Sequence, residues 1–192
     1  MEHISTFGHG TLAEADLVQL LQRAGIDAVA DVRRYPGSRR HPHFSRERME
    51  GWLPAAGIAY EWIEELGGRR RVDRCSPNVG LRNEQFRAYA DHMATEGFAS
   101  GLERLEAFAA DRHTAVMCSE SVWWRCHRRL LADHLVLVEG VDVRHLFHDG
   151  RLAPHPVTPG ATTVDRHVEY RPVDEGSTSS GRDAPSGATG RR

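Results

Sequence analysis

The chain has 192 residues with a net charge of −2, enough for one ordinary domain with a full core. Forty per cent apolar and 27 per cent charged residues make an ordinary soluble composition, and no apolar run approaches the length of a bilayer span. The start MEHISTFGHG has neither a basic nor an apolar leader segment, so a cytoplasmic location and no membrane partner are expected.

Ile4 to Phe7 reads as a first strand, closed by Gly8-His9-Gly10. Thr11-Leu12-Ala13-Glu14 has the pattern of a capping box. Leu17, Leu20, Leu21 and Ala24 then give one apolar helix face, and Gly25 is a natural stop. Ala28 to Val32 is a second, buried strand that leaves Arg33 and Arg34 at its carboxyl end. After the irregular loop YPGSRRHPHF, Ser45 is expected to cap a helix through about Trp52, ended or kinked by Pro54. Ile58, Tyr60 and Trp62 alternate as in a half-buried strand, and Gly67-Gly68 opens a long loop to about Arg82. Phe86, Tyr89, Ala90 and Met93 mark one helix, and Phe98, Leu102, Leu105 and Phe108 a second. A central strand ends at Cys118, the helix after it reaches about Leu135, and Val141 to Leu146 reads as the last strand. From about Pro172 onward Gly, Ser, Pro and Arg dominate, which predicts an α/β domain over 1–171 and a disordered tail over 172–192.

The alternation of strands and helices predicts a single α/β domain with a central, mostly parallel sheet of about five strands flanked by helices. In such folds the site lies at the carboxyl ends of the strands. His9, Asp31, Arg33, Glu64, Gly67, Gly68, Cys118, Glu120 and His145 all fall there, on one rim.

The richest stretch is AVMCSESVWWRCHRRLLADHL, Ala115 to Leu135. Cys118 ends an apolar strand before a helix start and near Arg, an environment that lowers a thiol pKa. In that reading Cys118 is a nucleophile, Arg125 and Arg128 hold an anionic substrate, and Glu120 or His127 moves protons. A strand-Cys-loop-helix unit resembles in part that of rhodanese-type sulfurtransferases and cysteine phosphatases. The phosphatase loop, however, has Arg six positions after Cys, where Trp124 stands here, with Arg125 one further on. The alternative is a metal site of Cys118, Cys126 and His127, with zinc or iron as the ion. Against it, adjacent Cys126 and His127 on a helix would point about a hundred degrees apart. Three cysteines are few and odd in number, which favours reduced thiols over a disulfide framework.

All 25 basic residues are Arg, clustered at Arg33 to Arg48 and Arg69 to Arg74. Guanidinium groups suit carboxylate or phosphate, and a near-neutral chain points to a local site for a small or nucleotide-like anion. A nucleic-acid module is the third alternative, with Tyr35, His41, His43 and Phe44 stacking on bases. Asp31 is read as a structural partner of an Arg more than as a base, Arg33 as a substrate anchor, and His134 as a satisfied core histidine.

The motifs FGHG, DVRRYPGS from Asp31, IAYEW with LGGRR from Leu66, FRAYADHM from Phe86 and MCSESVWWRCHRRLLAD together resemble the family of the domain of unknown function 488. The resemblance runs from about Ile4 to Leu146. It implies an α/β bacterial or archaeal protein of a family with no assigned activity. By that likeness Asp31, Arg33, Cys118, Glu120, Cys126, His127 and Arg128 occupy the family's motif positions. Trp123 stands where a small residue or Pro is expected, and Arg129 where Ser is expected.

Overall fold

The computed structural model describes residues 2–37 and 41–173. Ser38, Arg39 and Arg40 of the first arginine cluster lie outside the described residues, as does the expected tail from 174 onward. In chain order the elements are β1 (His3–Gly8), α1 (Glu14–Arg23), β2 (Ala28–Asp31), α2 (Arg46–Ala55), β3 (Ala59–Trp62), α3 (Glu84–Met93) and α4 (Glu96–Ala109). They continue with β4 (Thr114–Cys118), α5 (Arg128–Leu137), β5 (Asp142–Leu146), β6 (Leu152–Pro154), β7 (Ala161–Val164) and β8 (His167–Tyr170).

The main sheet has six strands in the order β3-β2-β4-β1-β5-β6. All its pairings are parallel except that of β5 with the edge strand β6. The expected five strands are therefore present, and β6 and the separate β7–β8 hairpin add to them.

Because side chains alternate along a strand, each strand feeds two cores. Phe7, Val29, Ala115 and Met117 pack with Leu17 and Leu21 of α1 and Met49 and Leu53 of α2. Ile4, Ala30, Val32 and Val116 pack on the opposite face with residues of α3, α4 and α5. Full burial of each large aliphatic here is worth roughly 1.5–3 kcal/mol, which is why near-continuous apolar runs mark these strands.

This layering positions the crevice. The helix after β2 covers one face and the helix after β4 covers the other, yet the two strands are neighbours. Their following loops part in opposite directions, so a cleft opens at their carboxyl ends.

Two local expectations need correction. The Thr11–Glu14 capping box does not form: α1 starts at Glu14 with Ala13 at the cap and no side-chain cap bond. Thr11 is instead used in the turn after β1, where the Leu12 amide donates to the His9 carbonyl. Pro54 does not end α2, which continues to Ala55. In the last turn the missing amide costs a single helical bond, and Gly57, at φ 78°, then closes the turn. Among the described residues, no helix is long and apolar enough to cross a membrane.

Candidate functional site

Cys118 is the last residue of β4, beside Gly8 of β1. It shares its sheet face with Val116 and so points toward the α5 side. The chain beyond it stays pinned: the His9 amide donates to the Cys118 carbonyl and the Gly10 amide to that of Ser119. The Glu120 carbonyl then accepts from the Arg128 guanidinium, whose other terminal nitrogen donates to Thr6 Oγ1 at 3.3 Å. A Cβ at position 8 would overlap the Glu120 carbonyl, so glycine there is what lets this loop close on β1. Arg128 is 1 % exposed. It is a buried brace of the loop and does not line the cleft.

Cys126 and His127 precede α5, and neither has the helical neighbours assumed from the sequence. Cys126 is extended (φ −122°, ψ 152°), whereas His127 has turned to φ −58°, ψ −19°. The hundred-degree separation expected on a helix therefore does not apply. His127 Nδ1 lies 3.5 Å from the Cys126 sulfur and 3.9 Å from the Cys118 sulfur. The three donor atoms all fall within 4.8 Å of one another. His127 Nε2 is 3.1 Å from the Val32 carbonyl and must donate to it. The proton therefore sits on Nε2, and the Nδ1 lone pair faces the sulfurs. Gly68 passes close by: a Cβ there would stand 2.8 Å from that Nδ1.

The two thiols share a proton unequally. The hydrogen bond to Cys126, together with burial, pushes the Cys118 thiol up to about 12. Burial acts the same way on Cys126, but the hydrogen bond from Cys118 and the Arg128 guanidinium outweigh it and bring Cys126 down to about 6. The direction is therefore up for Cys118, where the sequence predicts a lowered thiol, and down for Cys126 beside Arg128.

Asp31 is fully buried and holds Arg33 with both oxygens, Nε to Oδ1 at 2.8 Å and NH2 to Oδ2 at 2.6 Å. The Tyr60 hydroxyl donates to the same Oδ2 at 2.8 Å. Each carboxylate oxygen is thus committed, which makes Asp31 the positioning partner expected rather than a base. The remaining Arg33 nitrogen NH1 lies 3.3 Å from His9 Nε2.

A cleft of about 320 Å³ brings Arg33, Cys118, Glu120, Arg125, Cys126 and His127 together. Arg34, Tyr35, Gly68, Arg69 and Phe86 complete much of its wall. Glu120 Oε1 accepts from the Val122 amide at 3.1 Å. Of the other rim residues, Asp31, His9, Glu64 and His145 do not line it.

His145 belongs to a separate buried chain. Thr6 Oγ1 lies 2.7 Å from His145 Nδ1, His145 Nε2 2.9 Å from His155 Nδ1, and His155 Nε2 2.9 Å from Asp133 Oδ1. The Tyr170 hydroxyl donates to Asp133 Oδ2 at 2.9 Å. Trp123 stacks flat on His145, with centroids 4.1 Å apart and an 8° tilt, and so locks the site loop to this chain. Arg129 donates to Thr158 Oγ1 at 2.7 Å.

Two readings of single residues change. His134 is buried, but neither ring nitrogen has a hydrogen-bond partner, and Glu139 is 3.5 Å away. It is a core histidine kept neutral rather than a satisfied one, lowered to about 4 chiefly by burial. Phe44 is fully buried and so cannot stack on a base; Tyr35, 62 % exposed, can. The sequence reading missed Arg34, Arg69 and Phe86 as wall residues. The glycine pair beside Arg69 was the available signal.

Comparison with known proteins gives one match: the family model described as domain of unknown function DUF488 matches residues 15–135. No curated protein and no solved structure matches the chain.

Proposed function

The chain belongs to the DUF488 family, and from its own residues we propose that it is an enzyme built on a single Cys2His metal centre opening into an anion-binding cleft. One observation carries this reading: three soft and borderline donors, Cys118, Cys126 and His127, converge at separations of 3.5 and 3.9 Å between nitrogen and sulfur. A tetrahedral zinc ion with bonds of ~2.3 Å to sulfur and ~2.0 Å to nitrogen requires ~3.5 Å between such ligands. Thiolate and imidazole suit zinc or iron. The Val32 carbonyl fixes the ring and its tautomer, the outer support that metal-bound histidines use.

Three protein ligands beside a cleft fit a catalytic rather than a closed structural site. When bound, such an ion supplies Lewis acidity and lowers the pKa of water. The chain supplies the rest. Glu120, two residues after a ligand and exposed in the cleft, has one oxygen held by Val122 and the other available to move a proton. The exposed Arg125 orients an anionic substrate, while Arg33, neutralised by Asp31, is held as part of the cleft wall. The reaction class that follows is hydrolytic attack on a small anion.

Thiol catalysis without metal has one observation in its favour, the Cys126 thiol held near 6 beside Arg128. It moves the nucleophile from Cys118 to Cys126. Cobalt(II) titration of the purified apoprotein separates the two. The metal reading expects thiolate-to-cobalt charge-transfer absorption that is lost in Cys126→Ala; a protein whose spectrum stays that of aqueous cobalt would contradict it.

A further inference from the structure

The walls of the cleft carry an imbalance that the metal centre does not use. Four arginines, Arg33, Arg34, Arg69 and Arg125, line it against one carboxylate, Glu120. Arg33 is neutralised by Asp31. Among the described residues Arg34, Arg69 and Arg125 have no carboxylate partner, although the chain as a whole is acidic. Arg34 also has a buried Nε with no hydrogen-bond partner, and its terminal nitrogen reaches only the Arg69 carbonyl, at 3.5 Å. Three unpaired guanidinium groups converging on one cleft with a single carboxylate make a place that an anion from outside can fill.

The same wall has an aromatic component. Tyr35 is 62 % exposed, and the Arg34 guanidinium lies 5.7 Å from its ring centroid. Phe86 faces the cleft from α3. An exposed ring beside unpaired guanidinium groups is the arrangement that stacks a base while holding a phosphate.

We infer that the cleft takes a nucleoside phosphate, the phosphate held by Arg34, Arg69 and Arg125 and the base stacked on Tyr35. This deepens the reading of the cleft as a substrate site and names the substrate class. It does not need the metal, because none of these four residues is one of the three ligands. The volume of about 320 Å³ suits one nucleotide unit, either free or within a single strand.

The test is calorimetric titration of the full chain with the common nucleoside monophosphates, inorganic phosphate and a short single-stranded oligonucleotide. At least one monophosphate is expected to bind tenfold or more tighter than inorganic phosphate, a difference of the size that stacking gives. Tyr35→Ala should remove that advantage and leave inorganic phosphate binding unchanged. Arg34→Gln with Arg125→Gln should weaken both by about tenfold or more. Tighter binding of the oligonucleotide, with a steeper salt dependence, would identify the polymer as the source; equal binding would identify the free nucleotide. Monophosphates no better than inorganic phosphate, or a Tyr35→Ala protein that binds them as before, would overturn the inference. Zinc titrated into the wild-type chain without nucleotide tests the metal centre by itself, so its failure and the failure of the nucleotide site are read separately.

Discussion

At the scale of residues, the site depends on small groups that make room as much as on the groups that react. Gly68 runs so close to His127 that any side chain would press on its Nδ1. Gly68→Ala is therefore expected to lower metal affinity by roughly ten- to a hundredfold, the loss typical of disturbed ligand support, with the circular dichroism spectrum unchanged. Competition against a chelator measures it, and an affinity equal to wild type would show that His127 is not a ligand. The residues of the proposed centre were visible in the sequence, because Cys118, Cys126 and His127 crowd into ten positions. Their convergence was not. It rests on the extended backbone at Cys126 and on a bond from His127 to Val32, ninety-five positions away in sequence. Neither leaves a mark in residue type or spacing.

At the scale of elements, the strand-helix alternation was readable because each element is long and periodic enough to declare its buried face. The β7–β8 hairpin was not read. Its strands are four residues each, and its turn, Asp165-Arg166 at φ 42° and 63°, lacks the glycine that usually signals such a reversal. Yet this hairpin reaches the site through the buried chain Tyr170–Asp133–His155–His145–Thr6, which ends on the Arg128 brace. Donation converges on Asp133 from both sides, from Tyr170 on one oxygen and through Thr6, His145 and His155 on the other, and Asp133 is fully buried. Tyr170→Phe leaves a buried carboxylate oxygen without its donor and is expected to cost about 1–3 kcal/mol. Urea unfolding measures it, as a lower midpoint with an unchanged slope. A midpoint equal to wild type would show that the hairpin is not energetically joined to the core.

At the scale of the whole molecule, burial of neutral imidazoles makes stability depend on pH. His9 and His145 are each lowered to about 3, by burial first and then by Arg33 and His155 respectively, and His134 to about 4. In the unfolded chain the same rings take a proton near their ordinary value of about 6.5. Between about 6.5 and the folded values the unfolded state binds more protons, so stability is full above that range and falls as pH drops through it. Each ring contributes up to about 1.4 kcal/mol per pH unit. Chemical denaturation followed from pH 7.5 to 4.5 should show a plateau and then a steep decline beginning near 6.5. Constant stability across that interval would contradict the buried, neutral state of these histidines.

Whether Cys118, Cys126 and His127 hold an ion decides between metal and thiol chemistry in the cleft. The most direct measurement is elemental analysis of untagged protein, purified without chelator, beside the Cys118→Ala/Cys126→Ala double variant. One equivalent of zinc or iron in the wild type and none in the variant is the expected result. Metal-free wild-type protein that also fails to take up zinc on addition would contradict the metal centre and leave the Cys126 thiolate as the reactive group.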